Sequence, residues 1–245
     1  MNESEAARMA AVTRYDILDT PPDGAFDRIA GLAARLLDVP IATVSIVDSD
    51  RVWFKATYGL EGVSQVGRDP GLCSSAILQD APYLVADALT DPRAAENPLV
   101  RGELGIRFYA AAPIITAEGH RLGTVNVLDT RAREVTDAEL AILRELAGLV
   151  MDQLELRLSA LTTVRRERAL REEVQRDKRT IEVFASTLRR TLLPPELPRV
   201  PGLELACHYR AASPSEVTGD FYDVFALGEG RWAFFLGDVE GHGAP

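Results

Sequence analysis

A chain of 245 residues, 47% of them hydrophobic, is long enough for one or two domains with real apolar cores. Its 37 acidic side chains against 27 basic ones give a net charge of −10, which argues against nucleic-acid binding as the main task, because phosphate calls for a basic surface. No apolar run approaches the ~20 residues of a membrane span, and the acidic start Met1-Asn2-Glu3-Ser4-Glu5 lacks the parts of a signal peptide. A cytoplasmic protein is expected, with Cys73 and Cys207 too far apart to read as a disulfide framework.

An N-terminal helix is expected within residues 1–20. Thr20-Pro21-Pro22-Asp23 then breaks the chain, and Asp23 can cap the next helix. Phe26, Ile29, Ala33, Leu36 and Leu37 recur at helical spacing up to Pro40. Ile41 to Val47 and Arg51 to Tyr58 are β-rich runs joined by the turn-formers Asp48-Ser49-Asp50, which predicts a hairpin. Further strands are expected at Tyr83–Ala86, Phe108–Ile115 and Arg121–Leu128, the last two flanking the turn Ala117-Glu118-Gly119-His120. The class is α+β.

The runs Ile17-Leu18-Asp19-Thr20-Pro21-Pro22, Val47-Asp48, Arg51-Val52-Trp53-Phe54-Lys55, Leu72-Cys73 and Ala76-Ile77 resemble a GAF domain, as do Asn97-Pro98-Leu99-Val100, Ile106-Arg107-Phe108-Tyr109-Ala110 and Leu122-Gly123-Thr124-Val125-Asn126-Val127-Leu128-Asp129. The matches run in order from about residue 10 to 150, and the domain is placed at residues 21–150. The resemblance implies an antiparallel sheet flanked by helices, a pocket under the long loops, and a small-molecule or protein signal. Phe54, Cys73, Arg107, Phe108 and Tyr109 are the pocket candidates it implies, with Glu96 and Asn97 on a loop within reach. A buried Arg107 would need a carboxylate or an anionic ligand, and a cyclic nucleotide is one possibility. Ser74, where bilin-binding relatives place a histidine, argues against a chromophore on Cys73; a small core thiol is expected there.

Thr136-Asp137-Ala138-Glu139 is a capping-box pattern, and no proline follows until Pro194. A helix of that extent, about 56 residues, would reach ~84 Å. Ala147, Val150, Leu154, Leu161 and Val164 fit a coiled-coil seam, and so do Val174, Ile181, Phe184 and Leu188, in a different register. The expectation is a helical connector over residues 151–192 that makes a parallel homodimer, with a charged, weak middle from Arg165 to Arg179, or else two helices in sequence.

From Leu192 onward, Leu192-Leu193-Pro194, Pro201-Gly202-Leu203-Glu204-Leu205-Ala206, Gly219-Asp220-Phe221-Tyr222-Asp223-Val224 and Gly237-Asp238-Val239-Glu240-Gly241-His242-Gly243 resemble the start of a SpoIIE-type serine phosphatase. Residues 193–245 are thus expected to be a truncated PP2C-like α/β-sandwich segment, with strands at Leu203–Tyr209, Phe221–Ala226 and Arg231–Leu236. The resemblance implies catalytic Asp220, Asp238 and His242, and ligation of Mn or Mg by Asp220, Asp238 and the Val239 carbonyl. Asp223 is the weaker candidate. Those 53 residues are few for an independent core, so the segment is expected to be catalytically incomplete. The whole reads as a GAF-regulated, metal-dependent serine/threonine phosphatase acting on a phosphorylated switch protein such as an anti-sigma-factor antagonist. The other reading is a non-catalytic sensor or dimerisation module with a vestigial phosphatase tail.

Overall fold

The computed structural model describes residues 3–69, 71–194, 196–208 and 220–238. The chain divides into two units, residues 1–163 and 164–245.

The first unit opens with helices α1 (Glu3–Tyr15) and α2 (Gly24–Leu36). Asp23 caps α2 as expected, its carboxylate accepting from the Ala25 amide at 3.0 Å. Phe26, Ile29, Ala33 and Leu37 are buried on its inner face, whereas Leu36, at the helix end, is 54% exposed.

Six strands follow: β1 (Ile41–Val47), β2 (Arg51–Tyr58), β3 (Gln65–Gly67), β4 (Tyr83–Val85), β5 (Phe108–Ile115) and β6 (Arg121–Asp129). They form one sheet in the order β3-β2-β1-β6-β5-β4, with every neighbouring pair antiparallel. Two short helices, α3 (Leu72–Ala76) and α4 (Pro98–Arg101), lie in the long connections. Every residue of β1 is buried, so both faces of the sheet are covered.

Period-two alternation sends Ala42, Val44 and Ile46 to one face, where they join α1, α2 and Leu143, Leu146, Ala147, Val150 and Leu154 of α5 (Asp137–Leu192). The opposite face carries Ile41, Val47, Tyr109 and Leu128 under α3 and α4. A bulge between Val44 and Ser45 leaves Lys55 as the extra residue of β2. Its ammonium donates to Thr20 Oγ1 at 2.9 Å and to the Pro21 carbonyl at 2.7 Å, pinning the α1–α2 linker to the sheet. Burial lowers the Lys55 pKa.

The capping box at the start of α5 is present in both directions. Glu139 accepts from the Thr136 amide at 2.8 Å, and Thr136 Oγ1 accepts from the Glu139 amide at 3.2 Å. The helix runs unbroken for 56 residues. Ala147, Val150 and Leu154 do not form a coiled-coil seam. At 3% exposure or less they pack on their own sheet, because one face of the helix closes the core of the first unit.

In the second unit, β7 (Asp220–Gly228) and β8 (Arg231–Asp238) form an antiparallel hairpin. Glu229 and Gly230 connect them, both with positive φ (49° and 76°), the geometry of a two-residue turn that matches strand twist. Both strands fall where the sequence predicts them. The expected strand at Leu203–Tyr209 is not regular over Leu203–His208, and Tyr209 lies outside the described residues.

Candidate functional site

A cavity of about 180 Å³ lies on the sheet face opposite α1, α2 and α5. Its floor is Ile41 and Thr43 of β1, Val52 and Phe54 of β2, Tyr109 of β5, and Asn126 and Leu128 of β6. Leu60, Val63 and Val66 of the β2–β3 region form one wall. Leu72 and Cys73 of α3, Leu99 of α4, and Leu104 and Ile106 close the rest.

The register explains why polar groups gather on this floor. Thr43 pairs with Asn126 and Ser45 with Thr124 across β1 and β6, putting four polar side chains on one face of buried strands. They bond to one another and to Tyr109. Tyr109 Oη donates to Asn126 Oδ1 at 2.8 Å and lies 3.3 Å from Cys73 Sγ. Asn126 Nδ2 donates to Thr43 Oγ1 at 2.8 Å and Ser45 Oγ at 3.1 Å, and the Ser45 and Thr124 hydroxyls are 2.8 Å apart. Burial pushes both the Tyr109 phenol and the Cys73 thiol up, so both stay neutral.

Among the described residues, Asp69 is the only charged one lining the cavity. Asp69, Gly71 and Asn97 also border an open polar cleft that reaches Ser74, Arg68 and Arg93. The cations there are already engaged: Arg68 with Glu5 at 2.6 Å, and Arg93 with Asp91. Glu5 also receives Arg8; this guanidinium, with that of Arg68, holds the Glu5 carboxyl at about 2. Helix α1 is thereby tied to the rim.

Of the pocket residues expected from sequence, Phe54, Cys73 and Tyr109 line the cavity, and so does Asn97. Arg107 and Phe108 do not. Phe108 adjoins Tyr109 on one strand and so faces the opposite side, where it is 1% exposed in the helix-facing core. Arg107 makes a bidentate pair with Asp87 at 2.6 and 2.7 Å, which supplies the carboxylate that its charge requires. Glu96 stands in the outer cleft, its side chain 88% exposed. Thr43 and Asn126 went unrecognised as site residues. Their signal was a polar residue at every second position of otherwise apolar strands.

Both cysteines are thiols, Cys73 buried and Cys207 exposed. We expect a thiol reagent to modify Cys207 rapidly and Cys73 at least about 100-fold more slowly, at the rate of local opening. Peptide mapping after timed alkylation checks this; equal rates would show that Cys73 is reached in the native fold.

At the other end of the chain, Asp220 and Asp238 are direct cross-strand partners at the open end of the hairpin, and both are exposed. Asp223 lies further along β7, opposite Phe235. Val239 and His242 lie outside the described residues. No group of three or more acidic, histidine or cysteine side chains converges as a metal site among the described residues. No helix among them is long and apolar enough to cross a membrane.

Residues 21–154 match the model of the GAF domain family. A cyclic di-GMP phosphodiesterase of Pseudomonas aeruginosa is 41% identical over 150 residues, which are 61% of this chain and 25% of that protein. The chain therefore spans about a quarter of that relative. A solved GAF domain from an Acinetobacter phosphoenolpyruvate-protein phosphotransferase aligns at 15% identity and a TM-score of 0.47, over 63% of this chain and 95% of the other. A free methionine-R-sulfoxide reductase from Neisseria meningitidis aligns at 15% identity and a TM-score of 0.47, over 65% of this chain and 95% of the other. With its six-stranded antiparallel sheet, its helices and its family match over more than half its length, the chain belongs to the GAF domain family.

Proposed function

We propose that this chain is the sensing part of a signalling protein whose GAF unit takes a small molecule and whose long helix passes the signal to a phosphatase output. The observation that carries the reading is the concave, mostly apolar cavity with a hydrogen-bonded polar floor, placed on the sheet face away from α5. Such a concave, mostly apolar site with a few convergent polar groups is the usual form of a ligand pocket. Native mass spectrometry of the purified protein tests it: a bound small molecule is expected, and narrowing the cavity with Leu60→Phe should remove it. A protein that binds no small molecule would end the sensor reading.

The output we assign to residues 193–245 is the N-terminal part of a SpoIIE-type, PP2C-like serine/threonine phosphatase. Register supports it. Asp220 and Asp238, picked out by sequence pattern alone, meet as direct partners. Like charges facing each other across strands destabilise a hairpin, and a hard divalent cation such as Mn or Mg relieves that repulsion through oxygen ligands. Two carboxylates fit the beginning of such a site, and a two-cation centre calls for further donors. When bound, such cations lower the pKa of a water and neutralise phosphoryl oxygens. This chain's own contribution is to hold the two carboxylates side by side at a strand end. Asp220→Asn and Asp238→Asn should each reduce manganese-dependent hydrolysis of a phosphoserine peptide by the full-length protein by at least about 100-fold. Without metal-dependent hydrolysis the phosphatase output falls and the sensor stands. The phosphodiesterase activity in the relative's name belongs to that protein.

We further propose that α5 associates as a parallel homodimer, which would place two sensors on one output.

A further inference from the structure

Resting on the reading of the cavity as the sensing site, we propose that its ligand is a compact, uncharged molecule: one ring or a short branched chain bearing a single oxygen that accepts a hydrogen bond from Thr43.

Size is the first constraint. A cavity of about 180 Å³ is close to the roughly 150 Å³ that holds one benzene in an engineered apolar site. A nucleotide, with base, sugar and phosphate, is larger than this space. Charge is the second. Among the described residues no lysine, arginine or histidine lines the cavity, and Asp69 at its edge repels anions. An anion moved inside would lose its hydration and gain no counter-charge.

Hydrogen-bond accounting sets the third. Thr43 Oγ1 accepts from Asn126 Nδ2, and among the described residues its own proton goes to no protein atom. Thr43 lines the cavity and is 2% exposed, so a ligand oxygen is an acceptor within its reach. Tyr109 and Asn126 bond to one another and are already satisfied, which fixes the floor and leaves Thr43 as the group that reads the ligand. Apolar walls such as Val52, Phe54 and Leu128 complete a site that selects shape and one acceptor. Asp69, Gly71 and Asn97, shared with the outer cleft, mark the entry side.

Calorimetric titration of the 245-residue protein with phenol, cyclohexanol, benzoate and adenosine 3′,5′-monophosphate decides the matter. Phenol or cyclohexanol should bind and raise the melting temperature, with benzoate at least about 100-fold weaker than phenol. Thr43→Val, which keeps the shape and removes the donor, should weaken binding by about 3- to 10-fold. Leu60→Phe and Val66→Phe, each checked for native circular dichroism, should abolish binding. Benzoate or the nucleotide binding as tightly as phenol overturns the class of ligand, and so does failure of both neutral probes at millimolar concentration. Neutral binding that survives both phenylalanine variants overturns the site. An anionic molecule found by native mass spectrometry would overturn the class and leave the sensor intact, whereas a protein that binds no small molecule removes both.

Discussion

Asn126→Ala should destabilise the sensor unit by about 3 to 4 kcal/mol, read as a lower denaturant midpoint and a fall of roughly 10 °C in melting temperature. Asn126 is 1% exposed and makes three side-chain hydrogen bonds, to Tyr109, Thr43 and Ser45. Alanine strips all three at once. Ser45 keeps Thr124, and Tyr109 is left with the Cys73 sulfur, a weak acceptor, but Thr43 loses its partner. Each unmade buried bond costs about 1 to 3 kcal/mol, and the lost amide volume adds a cavity term. Ser45→Ala leaves Asn126 bonded to Thr43 and Tyr109, so about 1 kcal/mol is expected there. A loss below about 1 kcal/mol for Asn126→Ala would mean that water replaces the side chain and that the floor is no rigid template.

That network also marks the limit of what the residues showed by themselves. Local chemistry was legible: the Asp23 cap, the Thr136–Glu139 capping box and the edges of β1, β2 and β5 stand where spacing placed them. Phe54, Cys73 and Tyr109 were found because they sit within family motifs. Arg107 and Phe108 were misplaced because a motif names consecutive residues, whereas a strand sends neighbours to opposite faces. Thr43 and Asn126 were legible only as a pair, since neither strand alone shows that its polar residues meet the other's. The cavity wall at Leu60, Val63 and Leu104 comes from loops, which have no period to read.

The same physics explains the misreading of α5. A helix that packs on its own sheet and also meets a second copy carries two apolar stripes, and spacing alone mixes them. Outside the buried set of Ala147, Val150 and Leu154, Val164 and Val183 are exposed at non-seam positions, and a further outward set comprises Leu149, Leu156, Leu170, Val174, Ile181 and Phe184, which are 48% to 66% exposed. Their positions fall in one heptad register, with Leu149, Leu156, Leu170 and Phe184 separated by multiples of seven and Val174 seven before Ile181. In a parallel pair, Glu173 would face Lys178 of a second copy, which is attractive at flanking positions, whereas Arg157 is held within its own unit by the Asp16 carbonyl at 2.9 Å. Thr163, Glu167 and Asp177 occupy seam positions in this register and weaken its middle.

Leu170→Lys combined with Phe184→Lys should therefore raise the dimer dissociation constant at least 100-fold, to ~100 times that of the parent chain or beyond. Burying a leucine or phenylalanine contributes about 1.5 to 3 kcal/mol, and the two positions occur twice in a dimer, so even half of that sum exceeds the 2.8 kcal/mol or so that a 100-fold change needs. Asp177→Leu should act in the opposite sense. It removes a carboxylate that would face its own copy in the seam and supplies apolar surface in its place. Sedimentation equilibrium on the three proteins reads both shifts, with thermal melting of the first unit as the control for folding. If the double lysine variant sediments like the parent, the outward stripe is not the interface. If it dissociates while Asp177→Leu fails to tighten association, the stripe holds and the parallel in-register arrangement does not.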